Sequence, residues 1–323
     1  MAGPKLLIVH TSSNNKALNG MAPTSPASPV AFLGWPRCLC LVVFLALFTF
    51  VSLLTVFSTA RASAAAAYQA TTLLTASAGG AGAGAAAEDA GLPRYVFDAL
   101  VQYAAAAGNT SGCMPEPDVR AIASVLRRRA PCNLLVFGLG AETPLWRALN
   151  HGGRTVFLDE NPYYVEHLEG KHPGLEAYDV AYATAVRELP GLIDAARAAE
   201  CRPVQNLLFS DCRLAINDLP NQLYDVAWDV ILVDGPRGFA EGSPGRMSAI
   251  YSAAVMARTK GAETEVLVHD YEREVERTCG REFLCEENWV KGTSTPSLGH
   301  FLVRGGAAAN REAFCDPPAA KSN

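Results

Sequence analysis

Leu134-Leu135-Val136-Phe137-Gly138-Leu139-Gly140-Ala141-Glu142-Thr143-Pro144 decides the fold. Its opening four residues are apolar without alternation, which suits a strand covered on both faces. Gly138 and Gly140 then permit a tight turn and let a ligand approach backbone with no Cβ in the way. Thr143-Pro144 sets a capping side chain before a proline at the first helical position, and the helix it opens would aim free N–H groups at an anion. Similar runs recur downstream at Thr155–Leu158, Val230–Val233, Glu265–Val268 and Phe301–Val303. Between them, Asn161-Pro162 starts a second helix that Gly170 ends. Pro244 to Arg258 reads as a third, with Met247, Ile250, Tyr251, Ala254 and Val255 at core spacing and Gly261 as its stop. Strand and helix in this rhythm predict an α/β domain with a doubly wound, mostly parallel sheet.

Ligands in such sheets bind outside the carboxyl ends of the strands, so the residues that end each run become the candidates. The second run ends in Asp159-Glu160, about 20 residues after the glycine turn, where an acid can accept hydrogen bonds from ribose hydroxyls. A nicotinamide fingerprint wants a third glycine at position 143, which is Thr, so glycine pair and acid fit S-adenosylmethionine better. Asp211 falls where an adenine would be met. Asp234, in Val233-Asp234-Gly235-Pro236-Arg237-Gly238, would sit beside the sulfonium methyl and could orient or deprotonate an accepting hydroxyl; its bland role is capping the next turn. His269-Asp270 ends the fourth run, and His269 is either a second base or a hydrogen-bonded structural histidine. Asp225 and Asp229, flanking Trp228, read as surface or strand-entry residues.

Outside this body, Cys38 to Ala60 holds no charged residue and lies between Arg37 and Arg61. Roughly 20 such residues cross a bilayer. Residues 1–37 carry Lys5, Lys16 and Arg37 and no acid, so positive charge keeps the tail cytosolic and sends the remainder into a lumen. The expected organisation is a cytosolic tail (1–37), a transmembrane anchor (38–60), an Ala/Gly-rich stem (61–92), a lumenal domain (93–305) and a flexible C-terminal tail (306–323). Asn109-Thr110-Ser111 is a glycosylation triplet that only a lumenal body would use. Seven of the nine cysteines lie beyond the anchor; disulfides and buried free thiols both remain open, and no spacing resembles a metal site. The net charge of −5 and a single cationic run, Arg127-Arg128-Arg129, argue against nucleic acid. That run is expected on the solvated face of a helix that buries Val119, Ile122 and Leu126.

Cys132–Gly140, Leu149–Leu158, Trp228–Pro236, Pro244–Met247 and Val268–Asp270 together resemble the plant polysaccharide-biosynthesis domain family, over roughly Tyr95 to Val303. That family includes glucuronoxylan 4-O-methyltransferases and irregular-xylem-fifteen-like proteins. Cys201 to Cys212 and Asp234-Gly235-Pro236-Arg237 look closer to the irregular-xylem branch; the methyltransferase branch tends toward Asp-Ala-Pro there and toward His-Asp-Ser where this chain has Ala141-Glu142-Thr143. The resemblance implies a methyltransferase-like fold in a single-pass type II Golgi membrane protein of secondary-wall xylan synthesis. It also implies S-adenosylmethionine as methyl donor, a xylan acceptor, and other xylan-synthesis proteins as partners. In that frame Gly138 and Gly140 hold the methionine end, Asp159 the ribose, Asp211 the adenine edge and Asp234 the acceptor hydroxyl, with His269 a second base. Arg237 and Arg246 become candidate partners of the uronate carboxylate, or helix-surface and structural arginines. A scaffold of xylan synthesis with no turnover of its own is the competing reading.

Overall fold

Both faces of the central strands are buried, so an unbroken apolar run is what each strand must be. Leu135, Phe137, Val156, Leu158, Ile231 and Val233 point into one core, while Leu134, Val136, Phe157 and Leu232 point into the other. This is the period-2 alternation of a sheet with two dry faces. The computed structural model describes residues 91–107, 113–260, 262–306, 309 and 312–316. Among them the helices are α1 (Arg94–Ala107), α2 (Glu116–Arg129), α3 (Thr143–Leu149), α4 (Pro162–Lys171), α5 (Leu189–Ala195), α6 (Met247–Thr259) and α7 (Glu274–Cys279). The strands are β1 (Asn133–Phe137), β2 (Arg154–Asp159), β3 (Glu176–Asp179), β4 (Val230–Val233), β5 (Glu263–His269) and β6 (Leu298–Arg304).

The sheet runs β3-β2-β1-β4-β5-β6. The first five strands are parallel, and β6 closes the edge antiparallel to β5. Register decides where the site falls. Phe137 lies beside both Leu158 and Val233, and Val233 beside Val268. The residues that follow these four therefore share one edge, and chain order reverses between β1 and β4. That reversal opens a crevice.

Local chemistry follows the sequence in most places. Asn161 caps α4, accepting from the N–H groups of Tyr163 at 3.1 Å and Tyr164 at 3.3 Å. Val119, Ile122 and Leu126 are buried on α2 as expected. Asp229 is a strand-entry residue, accepting from Asn133 N–H at 2.8 Å. Other expectations need correction. Thr143 does not cap α3; it sits inside the helix, and its hydroxyl accepts from Gly140 N–H at 2.9 Å. Helix α4 runs through Gly170 to Lys171, and α6 begins at Met247, because Arg246 is drawn into the site. The arginine run does keep Arg127 and Arg128 on the solvated face, but Arg129 is half-buried and bonds Glu265 at 2.9 Å, and Arg127 pairs with Asp98. Strand β3, Glu-Ala-Tyr-Asp, carries no apolar run and was not foreseen, since its outer edge is free and only Ala177 is buried.

Disulfides join Cys201 to Cys212 and Cys285 to Cys315, leaving Cys113, Cys132 and Cys279 as free thiols among the described residues. The second bridge corrects the expectation of a flexible tail from residue 306. It ties down 312–316, and the Phe314 ring packs against Tyr251 and Phe283. Among the described residues no helix is long and apolar enough to cross a membrane. The tail and anchor (1–37 and 38–60), nearly all of the stem and Asn109 lie outside the described residues.

Candidate functional site

A cavity of about 430 Å³ opens at the carboxyl ends of β1, β2 and β4. Its floor is bare backbone. Gly138 adopts φ +108°, and a Cβ there would meet the Asp234 carbonyl carbon and oxygen at 2.8 Å; a Cβ on Gly235 would meet Gly138 Cα at 2.7 Å. These two glycines exist for each other, since the turns after β1 and β4 touch through main chain. Gly138 N–H donates to Leu158 O at 2.6 Å and Asp234 N–H to Phe137 O at 2.8 Å, which fixes both turns. Gly140 lies off the cavity lining, and a Cβ on it would meet only the Glu142 carboxylate at 3.5 Å.

Two acids come from the end of β2. Asp159 is buried; its two oxygens accept from Leu139 N–H at 3.0 Å and Asn161 N–H at 2.9 Å. Burial raises its pKa against the pull of those N–H groups. Asp159 thus clamps the glycine turn to β2. Glu160, one residue on, lines the cavity, with Oε1 taking Arg237 Nε at 3.1 Å and Oε2 free of protein partners among the described residues. Of this pair the second acid is the one open to a ligand.

Asp234, after β4, presents a half-exposed carboxylate. Its Oδ1 meets His269 Nδ1 at 2.8 Å and Arg246 Nη2 at 3.4 Å, and Oδ2 has no protein partner among the described residues. His269 does not line the cavity; it stands behind Asp234. Its Nε2 lies 3.4 Å from an oxygen of Asp118, which is fully buried in the first turn of α2. Burial would lower the histidine pKa, but Asp118, Asp234 and Asp270 outweigh it and raise it to about 10. With carboxylates at both nitrogens the ring is an imidazolium at neutral pH. The expectation of a second base at His269 gives way: it carries positive charge and has no free lone pair.

Arg246 is likewise committed. Buried, it donates to His269 O at 2.6 Å and Asp234 O at 3.2 Å, and pairs with Asp270 at 2.9 Å. Its guanidinium braces the cavity wall and has no fork left for a substrate carboxylate. Asp270, at φ +58°, also pairs with Arg273 at 2.8 Å. This non-glycine residue in the left-handed region is a local strain of the kind that collects at functional sites. Beneath Arg246 lies Glu276, wholly buried, with neither oxygen hydrogen-bonded and the nearest guanidinium nitrogen 3.8 Å away. Burial pushes its pKa up, toward the neutral acid.

Of the sequence candidates, the cavity gathers Gly138, Asp159, Asp234, Arg237 and Arg246, with His269 directly behind, while Gly140 and the exposed Asp211 stand outside it. Reading the sequence missed Glu160 as the cavity-facing partner of Asp159, and Arg273, Asp118 and Phe239 altogether. Phe239 is 78% exposed although it lines the cavity mouth. An aromatic side chain inside a Gly/Pro-rich loop was the available signal.

Known proteins resemble this chain in sequence. Arabidopsis thaliana Protein IRREGULAR XYLEM 15 is 54% identical over 222 residues, 67% of this chain and 68% of that protein. Arabidopsis Protein IRX15-LIKE is 54% identical over 219 residues, covering 66% and 68%. Arabidopsis Glucuronoxylan 4-O-methyltransferase 1 is 39% identical over 233 residues, 69% and 80%. The family described as IRX15/IRX15L/GXM matches residues 117–301, a span from α2 to β6 that contains every cavity residue named above, and to that family the chain belongs.

Proposed function

We propose that this protein is a single-pass type II Golgi membrane protein of secondary-wall glucuronoxylan synthesis. Its lumenal domain, in this reading, methylates the 4-hydroxyl of glucuronic acid side chains with S-adenosylmethionine as donor. The observation that carries the reading is Asp234: a carboxylate held by an imidazolium, one oxygen unengaged, at the mouth of a cavity where chain order reverses. The donor is compatible with what lines that cavity. About 430 Å³ falls within the usual range for small-molecule sites, the glycine floor admits close approach, and Glu160 Oε2 is available to ribose hydroxyls. When bound, S-adenosylmethionine supplies a methyl group activated on a sulfonium. Asp234 Oδ2 would accept the hydrogen bond of the acceptor hydroxyl, hold its oxygen in line, and take its proton as the methyl passes from sulfur to that oxygen and the neutral thioether leaves. Arg273 and Arg237, 37% and 67% exposed, reach the mouth and can meet the uronate carboxylate; Phe239 offers a face for a sugar ring. The two disulfides support an oxidising lumen.

Calorimetry of the full chain in detergent with S-adenosylmethionine, followed by methylation of glucuronoxylan oligosaccharides, tests this. Asp234→Asn is expected to lower turnover at least ~100-fold while the donor still binds. No donor binding by the unmodified chain would end the enzymatic reading. Binding without turnover would favour a second one, a non-catalytic part in xylan synthesis alongside other synthesis proteins. The observation behind that alternative is the higher identity to IRREGULAR XYLEM 15, 54% against 39% for the named methyltransferase. Membrane topology is tested separately: glycosidase should shift the mass of the unmodified chain and leave Asn109→Gln unchanged.

A further inference from the structure

The geometry points to Asp118 as a positioning residue that fixes Asp234 in the cavity by acting through His269. This rests on the methyl-transfer reading above. Asp118 touches neither the cavity nor Asp234. It is fully buried at the start of α2, accepts from the Thr295 hydroxyl and from Ser297 Oγ at 2.7 Å, and forms an ion pair with His269 Nε2 at 3.4 Å. A buried carboxylate needs a countercharge, and no lysine or arginine reaches it among the described residues. His269 is its one cation. The same ring must then give its other N–H to Asp234 Oδ1, at 2.8 Å.

Asp118, His269 and Asp234 therefore form one line from the helix to the cavity. The remaining charged groups facing the ring are Asp270, at 3.9 Å, and the Arg246 guanidinium on the His269 carbonyl. Two consequences follow for the acceptor carboxylate. Rotation of Asp234 is blocked because Oδ1 is held, so Oδ2 points to the same place in every molecule. The charge of Asp234 is balanced by a cation bound at its far side, so it persists as carboxylate while staying able to receive a proton. Without Asp118, the ring loses one of its three neighbouring carboxylates and the only one at Nε2, becomes freer to turn, and shifts toward an ordinary histidine.

The test uses the full chain in detergent, labelled with ¹⁵N at its histidines, of which there are six; His269→Gln identifies the signal. Both nitrogens of His269 are expected to stay protonated through pH 8. Asp118→Asn should lower the titration of the ring by about 1–3 pH units. It should also reduce kcat roughly 10–100-fold with KM for donor and acceptor nearly unchanged, and bring the alkaline fall of the rate to lower pH. A ring that titrates near 6.5 in the unmodified chain overturns the proposal even if the variant does not fold. So does Asp118→Asn with unaltered ring titration, and that result leaves methyl transfer standing. Absence of turnover in the unmodified chain, with the ring behaving as expected, sinks the methyl-transfer reading and removes the catalytic role of Asp118 with it.

Discussion

Two histidines, His300 fully buried and His269 half-buried, sit on neighbouring strands, and they are wired differently. His300, on β6, meets Glu265 at 2.6 Å through Nε2 and the Thr293 hydroxyl through Nδ1. Both ring nitrogens are engaged, and Glu265 also pairs with the Arg129 cation at 2.9 Å. His269, at the end of β5, has a carboxylate at each nitrogen, and one of them, Asp118, has no other cation among the described residues. The edge cluster is closed: its carboxylates and cations pair with one another, and none of them lines the cavity described above. The cavity cluster is open at one point, the free oxygen of Asp234. The difference teaches that a buried histidine–carboxylate pair is evidence of a site only when an unengaged atom remains and faces space.

The largest effect should come from the closed cluster. Glu265→Gln leaves Arg129 and a buried His300 without their carboxylate, and breaking such a pair costs roughly 3–5 kcal/mol. Denaturant unfolding should report that loss, while affinity for S-adenosylmethionine in the folded fraction stays unchanged. A weakened donor affinity would mean that the two clusters communicate, and the contrast drawn above would not hold.

Next in size is an asymmetry with pH. Burial would raise the Glu265 pKa, but His300 and Arg129 prevail and lower it from 4.5 to about 2. A depressed carboxylate contributes stability in full above its unfolded pKa and loses it as pH falls, here between about 4.5 and 2; the contribution is on the order of 3 kcal/mol. His269 behaves oppositely. Its pKa is raised to about 10 from 6.5, so its contribution is complete below about pH 6.5 and drains as pH rises through 10. Thermal unfolding across pH should show an acid limb that Glu265→Gln flattens and an alkaline limb that Asp118→Asn flattens. The opposite assignment of limbs to variants would break the comparison.

Gly138→Ala follows, at about 2–3 kcal/mol. The new methyl would strike the Asp234 main chain at 2.8 Å, and the residue sits at φ +108°. Melting temperature reads this directly. Because the obstacle is backbone, no side chain can yield, and a loss below ~1 kcal/mol would mean that the turns after β1 and β4 are free to part.

The sheet was legible because its central strands must be apolar on both faces, and β1, β2, β4, β5 and β6 each left an unbroken run. β3 left none, since an edge strand with one buried alanine has no such requirement. The cavity was legible at strand ends for a topological reason: register lines up Phe137, Leu158, Val233 and Val268, so whatever follows them is gathered. Asp118 could not be found in this way. It comes from a helix, 179 residues from the serine that shares its carboxylate, and an acid in a first helical turn already has a sufficient local reason in the helix dipole. Nor did residue type reveal that Arg246 and His269 are spent on protein partners. Donors and acceptors have to be counted in space.

Gly140→Ala is the smallest effect and the sharpest on the glycine pair. Its added methyl meets nothing nearer than the flexible Glu142 carboxylate at 3.5 Å, and its φ lies outside the left-handed region. Replacing such a glycine restricts the unfolded chain more than it crowds the folded one, so stability should hold or rise by about 0.5 kcal/mol. Gly138 is required by the protein's own backbone; Gly140 is not required by any contact within the domain. If S-adenosylmethionine lies against it, calorimetry will show weaker donor binding in a variant that melts no lower than the parent. Unchanged affinity would remove Gly140 from the donor site and leave Gly138 as the glycine on which this turn depends.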